Sequence, residues 1–409
     1  MFFTVWLTIC AVYSLAFAVF LGHPTPDTMK AVNGPWPTVC IVVPTYNEAS
    51  IIDRKLENIL QLNYPRNKLR VMVVDSASID ETRSIVKEFA NRHKNQLAVA
   101  LLEQPVRMGK SQAINEALRV SDAEIFGLTD ADVIVPPEAL SKLVQNFQDS
   151  SMGGASGFEV PLADESFLSS LEAGYRAVYT AIRKAEASVD TPLMCESEFS
   201  LYRRDALGPL RPGCMCDDLE LTVMVRSKGL RCMYDLEVPF YEREASSLKP
   251  KFSHKLRRST ANQHAIFRSL AVFFNRSFGK YGSLVFPFEL FANIISPVLV
   301  TTALAFFVGI VITEPGDALP VLAYAALVGL PGIVLLRVLT NKYGSREISM
   351  MQRSLSWVLG VAAFLGFQIA LVASLVRLGL GGPQLMWEQV PGTRTSAVKT
   401  VELKLEEAE

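Results

Sequence analysis

Four stretches of this chain run apolar and free of charge for about the length of a membrane-crossing helix. The first, residues 1–22 (MFFTVWLTICAVYSLAFAVFLG), contains Ala16 and Ala18, which could mimic a signal-peptide cleavage pattern. No basic segment precedes it and it is too long for a signal core, so the pattern predicts an uncleaved anchor. The other three, 290–313, 318–337 and 354–377, are charge-free up to their last residues and predict three more transmembrane helices. Between them lies a mixed region expected to form one domain over 36–250. A basic amphipathic segment follows at 251–280, and a polar tail at 383–409.

Inside the mixed region the hydrophobic rhythm changes. TVCIVVP (38–44), LRVMVVD (69–75), LAVALLE (97–103) and AEIFGLT (123–129) are compact β-branched or aliphatic runs. Each of the first three is followed by turn residues and a segment of helical spacing. In the second case Ser78 is the expected helix cap. Strand alternating with helix predicts an α/β fold with a parallel, doubly wound sheet. In such a sheet ligands bind beyond the carboxyl ends of the strands. Glu48, Asp75 and the pair Asp130/Asp132 all fall just after a strand, on that one edge.

Net charge is −1 over 409 residues and identifies no partner; nucleic acid is not expected. The distribution says more. From Lys249 to Lys280 there are eight Lys or Arg and no acid, and Lys342, Arg346 and Arg353 face only Glu347 in the loop between the third and fourth stretches. Glu314 and Asp317 occupy the turn between the second and third. This bias places the mixed domain and the basic loop in the cytoplasm, at the plasma membrane, with the acidic turn outside. The basic segment also suits an interfacial helix on anionic headgroups. The six cysteines show no C-x-x-C pair, and C-M-C at 214–216 is read as packing in a reducing compartment.

Candidate chemistry centres on the sequence LTDADVIVPP (128–137). Carboxylates at i and i+2 leaving a strand can face the same side. Alone they raise each other's pKa, and a hard divalent cation, Mg²⁺ or Mn²⁺, resolves the conflict. A solvated turn or helix cap is the plain alternative for D-A-D. Neither GxxxxGK[ST] nor GxGxxG occurs, so no phosphate loop or dinucleotide fingerprint is indicated. Lys110 opens a helix near the same edge, where an ammonium and helix-start amides suit a diphosphate, although a surface lysine reads the same locally. Asp217 and Asp218 open a later helical pattern, as a cap or as a catalytic base.

VVPTYNE (42–48), VVDSASIDET, RMGKSQAINEAL, the D-A-D triplet and CDDLELTVMVRSKG (216–229) together resemble, in order and spacing, the inverting GT-A-fold glycosyltransferases of family 2, in their membrane-embedded branch. The likeness runs from Pro37 to about Asn262. It implies that Pro44, Thr45, Glu48 and Asp75 hold the nucleoside, Asp75 near the base. It implies that Asp130 faces the ribose and diphosphate, and that Asp132 binds the metal. Asp218 would be the general base, matching the last carboxylate of T-E-D. Cys216 and Asp217 stand where that motif has Thr and Glu, which loosens the choice between Asp217 and Asp218. The family's Q-x-x-R-W, a diphosphate and acceptor grip, is met by KLRRS (255–259), which keeps Arg257 and Arg258 but has Lys255 for Gln and Ser259 for Trp. Losing the Trp disfavours processive polymerisation. WEQVPGTR (387–394) resembles a W…T-R stretch beside the cytoplasmic site of polysaccharide synthases, whereas three C-terminal spans would put it outside; the two expectations conflict.

The resulting expectation is a metal-dependent inverting transferase moving a sugar from a nucleoside-diphosphate sugar, with uridine the family-weighted base. The acceptor would be membrane-bound, a polyprenyl-phosphate lipid or a lipid-linked glycan. A processive hyaluronan-, cellulose- or chitin-like synthase is the alternative. From other classes, a sugar nucleotidyltransferase would release pyrophosphate and has little use for four spans, and a permease would want charges inside them.

Overall fold

The computed structural model describes residues 1–24, 34–162, 167–243, 248–343 and 356–381; side chains at 167–173, 248 and 356–365 are outside the description. The described residues fall into two compact units. One takes those within Asp27–Glu165 and Met194–Lys251, the other those within Met1–Pro26, Ser166–Leu193 and Phe252–Pro383.

In the first unit, seven strands among the described residues form one sheet in the order β3-β2-β1-β4-β6-β5-β7. They are β1 Val39–Thr45, β2 Leu69–Asp75, β3 Ala98–Glu103, β4 Ile125–Thr129, β5 Met152–Leu162, β6 Phe199–Arg203 and β7 Arg231–Arg243. The first four lie within two residues of the runs read from the sequence, and they pair parallel. Their helices are α2 Ile52–Leu60, α3 Thr82–Arg92 and α4 Lys110–Val120. β1 and β2 pair from Val39↔Leu69 to Thr45↔Asp75, so both strands end at one level. β1 and β4 pair from Val39↔Ile125 to Val42↔Leu128, which brings Asp130 out at the same edge.

The doubly wound reading holds for this half. In the other half β6 runs antiparallel to both β4 and β5, so the sheet is mixed. Strand and helix go on alternating after β4, but β6 enters the sheet from the opposite end. Gly157 sits at a register shift between β5 and β7, where an added Cβ would meet Val238 O at 2.4 Å. Only glycine lets the two backbones approach so closely.

Below the sheet, α4 buries Ala113, Ile114, Ala117 and Leu118 against Val42, Val74, Phe126 and Leu128, in a core that includes Cys40, Cys195, Cys214 and Cys232. These thiols pack as apolar side chains, as the sequence reading had it. Ser78 does not cap α3. The N-cap is Glu81, with no side-chain cap bond, and the Asp80 carboxylate just before it accepts the Thr82 N–H at 3.0 Å. Beyond β4 the unit adds α5 Ala139–Gln145 and α7 Asp217–Ser227.

The second unit is helical. α1 Phe2–Leu21 spans 20 residues. A continuous helical run, Tyr281–Thr313, comprises α9 Phe286–Leu290 and α10 Ser296–Thr313 with π-helical turns at Tyr281–Val285 and Phe291–Ile295. α11 Ala318–Tyr343 lies within a 29-residue run from Pro315. These three are long and apolar enough to cross a bilayer. α12 Ser356–Gly381 occupies the fourth predicted stretch, its described part being the 16-residue apolar segment Gly366–Gly381. Polar bonds tie α1 to α11 at both ends: Trp6 Nε1 donates to Ala325 O at 2.9 Å, and Lys342 Nζ donates to Leu21 O at 2.8 Å.

α6 Phe167–Val189 belongs with these helices, which interrupts the single 36–250 domain expected from composition. A buried ion network explains its placement. Arg183 bonds Glu186 one turn away at 2.6 Å and Glu289 of α9 at 3.0 Å. α8 Leu248–Arg268 contributes Gln263, whose Nε2 donates to Asn293 O and Leu371 O while its Oε1 accepts from Ser374. The tail at 383–409, including the 387–394 likeness, lies outside the described residues.

Candidate active site

The site is built wholly within the sheet unit, from the loops after β1, β2 and β4 and the first turns of α4 and α7. At the end of β1 and just beyond it, Pro44, Thr45, Tyr46 and Glu48 line an open cleft. Asn47 adopts the left-handed region at φ 56°. Its N–H donates to Ser78 Oγ at 2.8 Å and its Oδ1 accepts from Ile79 N at 2.9 Å. Glu48 N donates to Thr82 Oγ1 at 2.8 Å. The β1 loop is thus stitched to the β2 loop, where Ala77 is also left-handed at φ 61°. Backbone strain of this kind in two facing loops is typical of functional sites.

Asp75 is fully buried. Its carboxylate accepts the Ser78 N–H at 3.0 Å and bonds closely with the Ser78 hydroxyl and Arg83 Nε. Asp75 thereby shapes the turn, and its neighbour Ser76 faces the cleft. On the same wall the Arg107 guanidinium stacks 3.9 Å above the Tyr46 ring, and both residues line the cleft.

Asp130, Ala131 and Asp132 form the opposite wall. Gly109, at φ 83°, turns the chain so that Lys110 opens α4. Lys110 Nζ lies 2.9 Å from Asp130 Oδ1, 2.8 Å from Ser197 Oγ and 3.5 Å from Asp217 Oδ2. It is not a free surface lysine: only 22% of its side chain is exposed. Burial pulls its proton affinity down, but Asp130, Asp217, Asp218 and Glu198 outweigh this and hold it charged, well above the usual lysine value.

At the start of α7 the N-cap is Cys216, with no side-chain cap bond, so Asp217 and Asp218 are the first helical residues and neither caps. Asp218 accepts the Ser197 N–H at 2.9 Å. Burial, then the charges of Asp217 and Glu198, push its pKa well above the ordinary carboxylate value, with Lys110 and the Ser197 side chain opposing. A carboxylate whose pKa is raised in this way is a stronger base than an ordinary one.

Asp130 and Asp132 offer hard oxygen donors of the kind Mg²⁺ or Mn²⁺ takes, and Asp130 already holds a cationic partner, the Lys110 ammonium. The residues fit a hard divalent cation. Arg257 and Arg258 stand on α8 in the helical unit. There burial, and then the charges of Arg258, Arg257, Arg176 and Lys255, depress the pKa of His254. Lys255 Nζ lies 3.9 Å over the Tyr175 ring.

Sequence reading missed Arg107, Ser197 and Glu198. It missed Lys55 too, whose Nζ donates at 2.7 Å to both Thr129 Oγ1 and Val133 O. Residues 190–198 have no strand or helix rhythm to flag them, and Lys55 sits in an ordinary amphipathic helix.

Comparison with known proteins now adds to this geometry. The family model for glycosyltransferase-like family 2 matches residues 37–261. The chain is 30% identical over 264 residues to an N-acetylglucosaminyltransferase of Mesorhizobium japonicum, covering 59% of this chain and 61% of that protein. It is 33% identical over 142 residues to a beta-monoglucosyldiacylglycerol synthase of Synechocystis, covering 33% of this chain and 29% of that protein. It thus spans less than two thirds of these relatives. In three dimensions it is similar to the mannosyltransferase PcManGT of Pyrobaculum calidifontis, solved with GDP-Man and Mn²⁺, at a TM-score of 0.69 and 24% identity over 93% of this chain and 99% of that one. The sheet is therefore a GT-A fold, and with more than half its length matched by the family model, the chain belongs to glycosyltransferase-like family 2.

Proposed function

We propose that this glycosyltransferase moves a sugar from a nucleoside-diphosphate sugar to a membrane-associated acceptor, with inversion at the anomeric carbon. The observation that carries the reading is the Lys110 ammonium, which lines the cleft and joins Asp130 of the D-A-D turn to Asp217, the neighbour of Asp218. That link supports assigning a diphosphate-binding side to Asp130 and a base side to Asp218.

Pro44, Thr45, Glu48 and Ser76 would bed the nucleoside, with Asp75 holding their loop in shape. Asp132 and Asp130 would hold Mg²⁺ or Mn²⁺. Such an ion, when bound, neutralises charge on the departing diphosphate. Lys110 places its ammonium on the same diphosphate side. Asp218 takes the proton of the acceptor hydroxyl as that oxygen bonds to the anomeric carbon and the diphosphate leaves on the opposite face. One displacement gives inversion. Arg257 and Arg258 would meet the diphosphate or the acceptor.

The acceptor is read as a polyprenyl-phosphate lipid or a lipid-linked glycan. Three helices able to cross a bilayer support this, together with the glycolipid synthase among the relatives. The basic loop and the α8 segment favour a cytoplasmic site at the plasma membrane. Ser259, where the resembled motif has Trp, favours single addition over processive synthesis.

The test is nucleoside diphosphate release by the purified full chain, across a panel of sugar nucleotides with Mg²⁺ or Mn²⁺, against lipid acceptors. Transfer that survives in both Asp132→Ala and Asp218→Asn refutes the site. Ladders of long polymer would replace single addition by processive synthesis.

A further inference from the structure

A lysine with only 2% of its surface exposed lies under the D-A-D turn. Lys55 projects from α2, and its ammonium needs compensation there, because an isolated buried charge is costly. It finds two acceptors, Thr129 Oγ1 and Val133 O, each at 2.7 Å. These residues are the ones immediately before Asp130 and immediately after Asp132. The Thr129 hydroxyl is fixed in turn, donating to Glu198 O at 2.9 Å.

One turn further along α2, Asn58 grips the same segment reciprocally. Its Nδ2 donates to Val135 O at 2.9 Å, and its Oδ1 accepts the Val135 N–H at 3.1 Å. The stretch from Thr129 to Val135 is therefore pinned at four points by one helix. A hydrophobic side chain at 55 would need no such partners. The charge is accounted for by what it holds, and by the carboxylates above it. Burial lowers the Lys55 pKa to about 7 while Asp130 and Asp132 act in the opposite direction.

We propose that Lys55 is a positioning residue of the metal site: by clamping both flanks of the D-A-D turn it sets the separation and aim of Asp130 and Asp132 for one divalent cation. This rests on the reading of those two aspartates as the metal ligands. Groups that orient metal ligands without touching the metal are commonly worth ~10–100-fold in affinity.

The experiment measures Mn²⁺ binding, by calorimetry and by the electron paramagnetic resonance of free Mn²⁺, to the detergent-solubilised full chain, with and without UDP. Wild type, Asp132→Ala, Lys55→Met and Thr129→Val are compared, with thermal unfolding recorded for each. Binding by wild type that Asp132→Ala abolishes upholds the ligand reading on its own. Lys55→Met, if folded, is then expected to bind Mn²⁺ ~10–100-fold more weakly. Thr129→Val removes one of the two acceptors and is expected to show a smaller loss in the same direction. Wild-type Mn²⁺ affinity in folded Lys55→Met overturns the positioning role while leaving Asp132 in place. Should Lys55→Met not fold, Thr129→Val decides, and unchanged affinity there overturns the proposal. Equal binding by wild type and Asp132→Ala removes the ligand reading and this inference with it.

Discussion

The backbone N–H of Ser197 donates to Asp218 Oδ1 at 2.9 Å, fixing a carboxylate that its neighbours otherwise push toward the protonated form. The bond orients the side chain. Asp218→Asn keeps the shape and removes the proposed base. Transfer is expected to fall by ~10²–10⁴-fold, with UDP affinity unchanged. Single-turnover transfer and calorimetry of UDP binding separate the two quantities.

The same residue links activity to stability. The folded pKa of Asp218 lies above its unfolded value, so the native state binds more protons. Its contribution is favourable below the ordinary carboxylate range and is lost as pH rises through the folded pKa. At neutral pH the group therefore destabilises the fold. Asp218→Asn is expected to melt higher than wild type, with the gap closing below the ordinary carboxylate range. Thermal unfolding of both proteins across that range checks it.

After burial itself, the charge of Asp217 does most to hold the Asp218 pKa up. With Asp218 as the proposed base, which must be deprotonated to act, transfer is expected to rise with pH through that raised pKa. Asp217→Asn is expected to move this acid limb to lower pH, and Asp217→Glu to keep it. A pH profile of kcat/KM for the three proteins provides the reading.

Lys110 opposes that shift and also stands on Asp130. Lys110→Met is expected to raise KM for the nucleotide sugar by ~10–100-fold, in line with the loss of a charged hydrogen bond. It should also move the acid limb to higher pH, the opposite direction from Asp217→Asn. A neutral effect on both would remove Lys110 from the site.

In the helical unit, Arg183 is 4% exposed and neutralises Glu186 and Glu289. Arg183→Met leaves two carboxyls facing each other out of water. It is expected to cost ~3–5 kcal/mol, as for one partner removed from a buried ion pair. Thermal unfolding in detergent measures it, with Arg70→Met as control, since the Arg70–Asp122 pair is exposed and worth little.

Periodicity along the chain marked β1 through β4 within two residues and placed Glu48, Asp130 and Asp132 at strand ends, because a half-built parallel sheet writes local signals: β-branched runs, turn residues and helical spacing. Charge-free length marked α1, α10 and α11 for the same local reason. The antiparallel return of β6 and the seating of α6 among the apolar helices were not legible, since both depend on partners far along the chain, such as Glu289 for Arg183. Nor could sequence show that Asp75 is occupied by Ser78 and Arg83, or that Lys110, Asp130 and Asp217 meet. It named the carboxylates, because residue type and strand-end position are local. Which of them bear a shifted pKa, and which buried lysine holds their turn, was decided by tertiary packing, since desolvation and charge proximity exist only once distant segments are brought together.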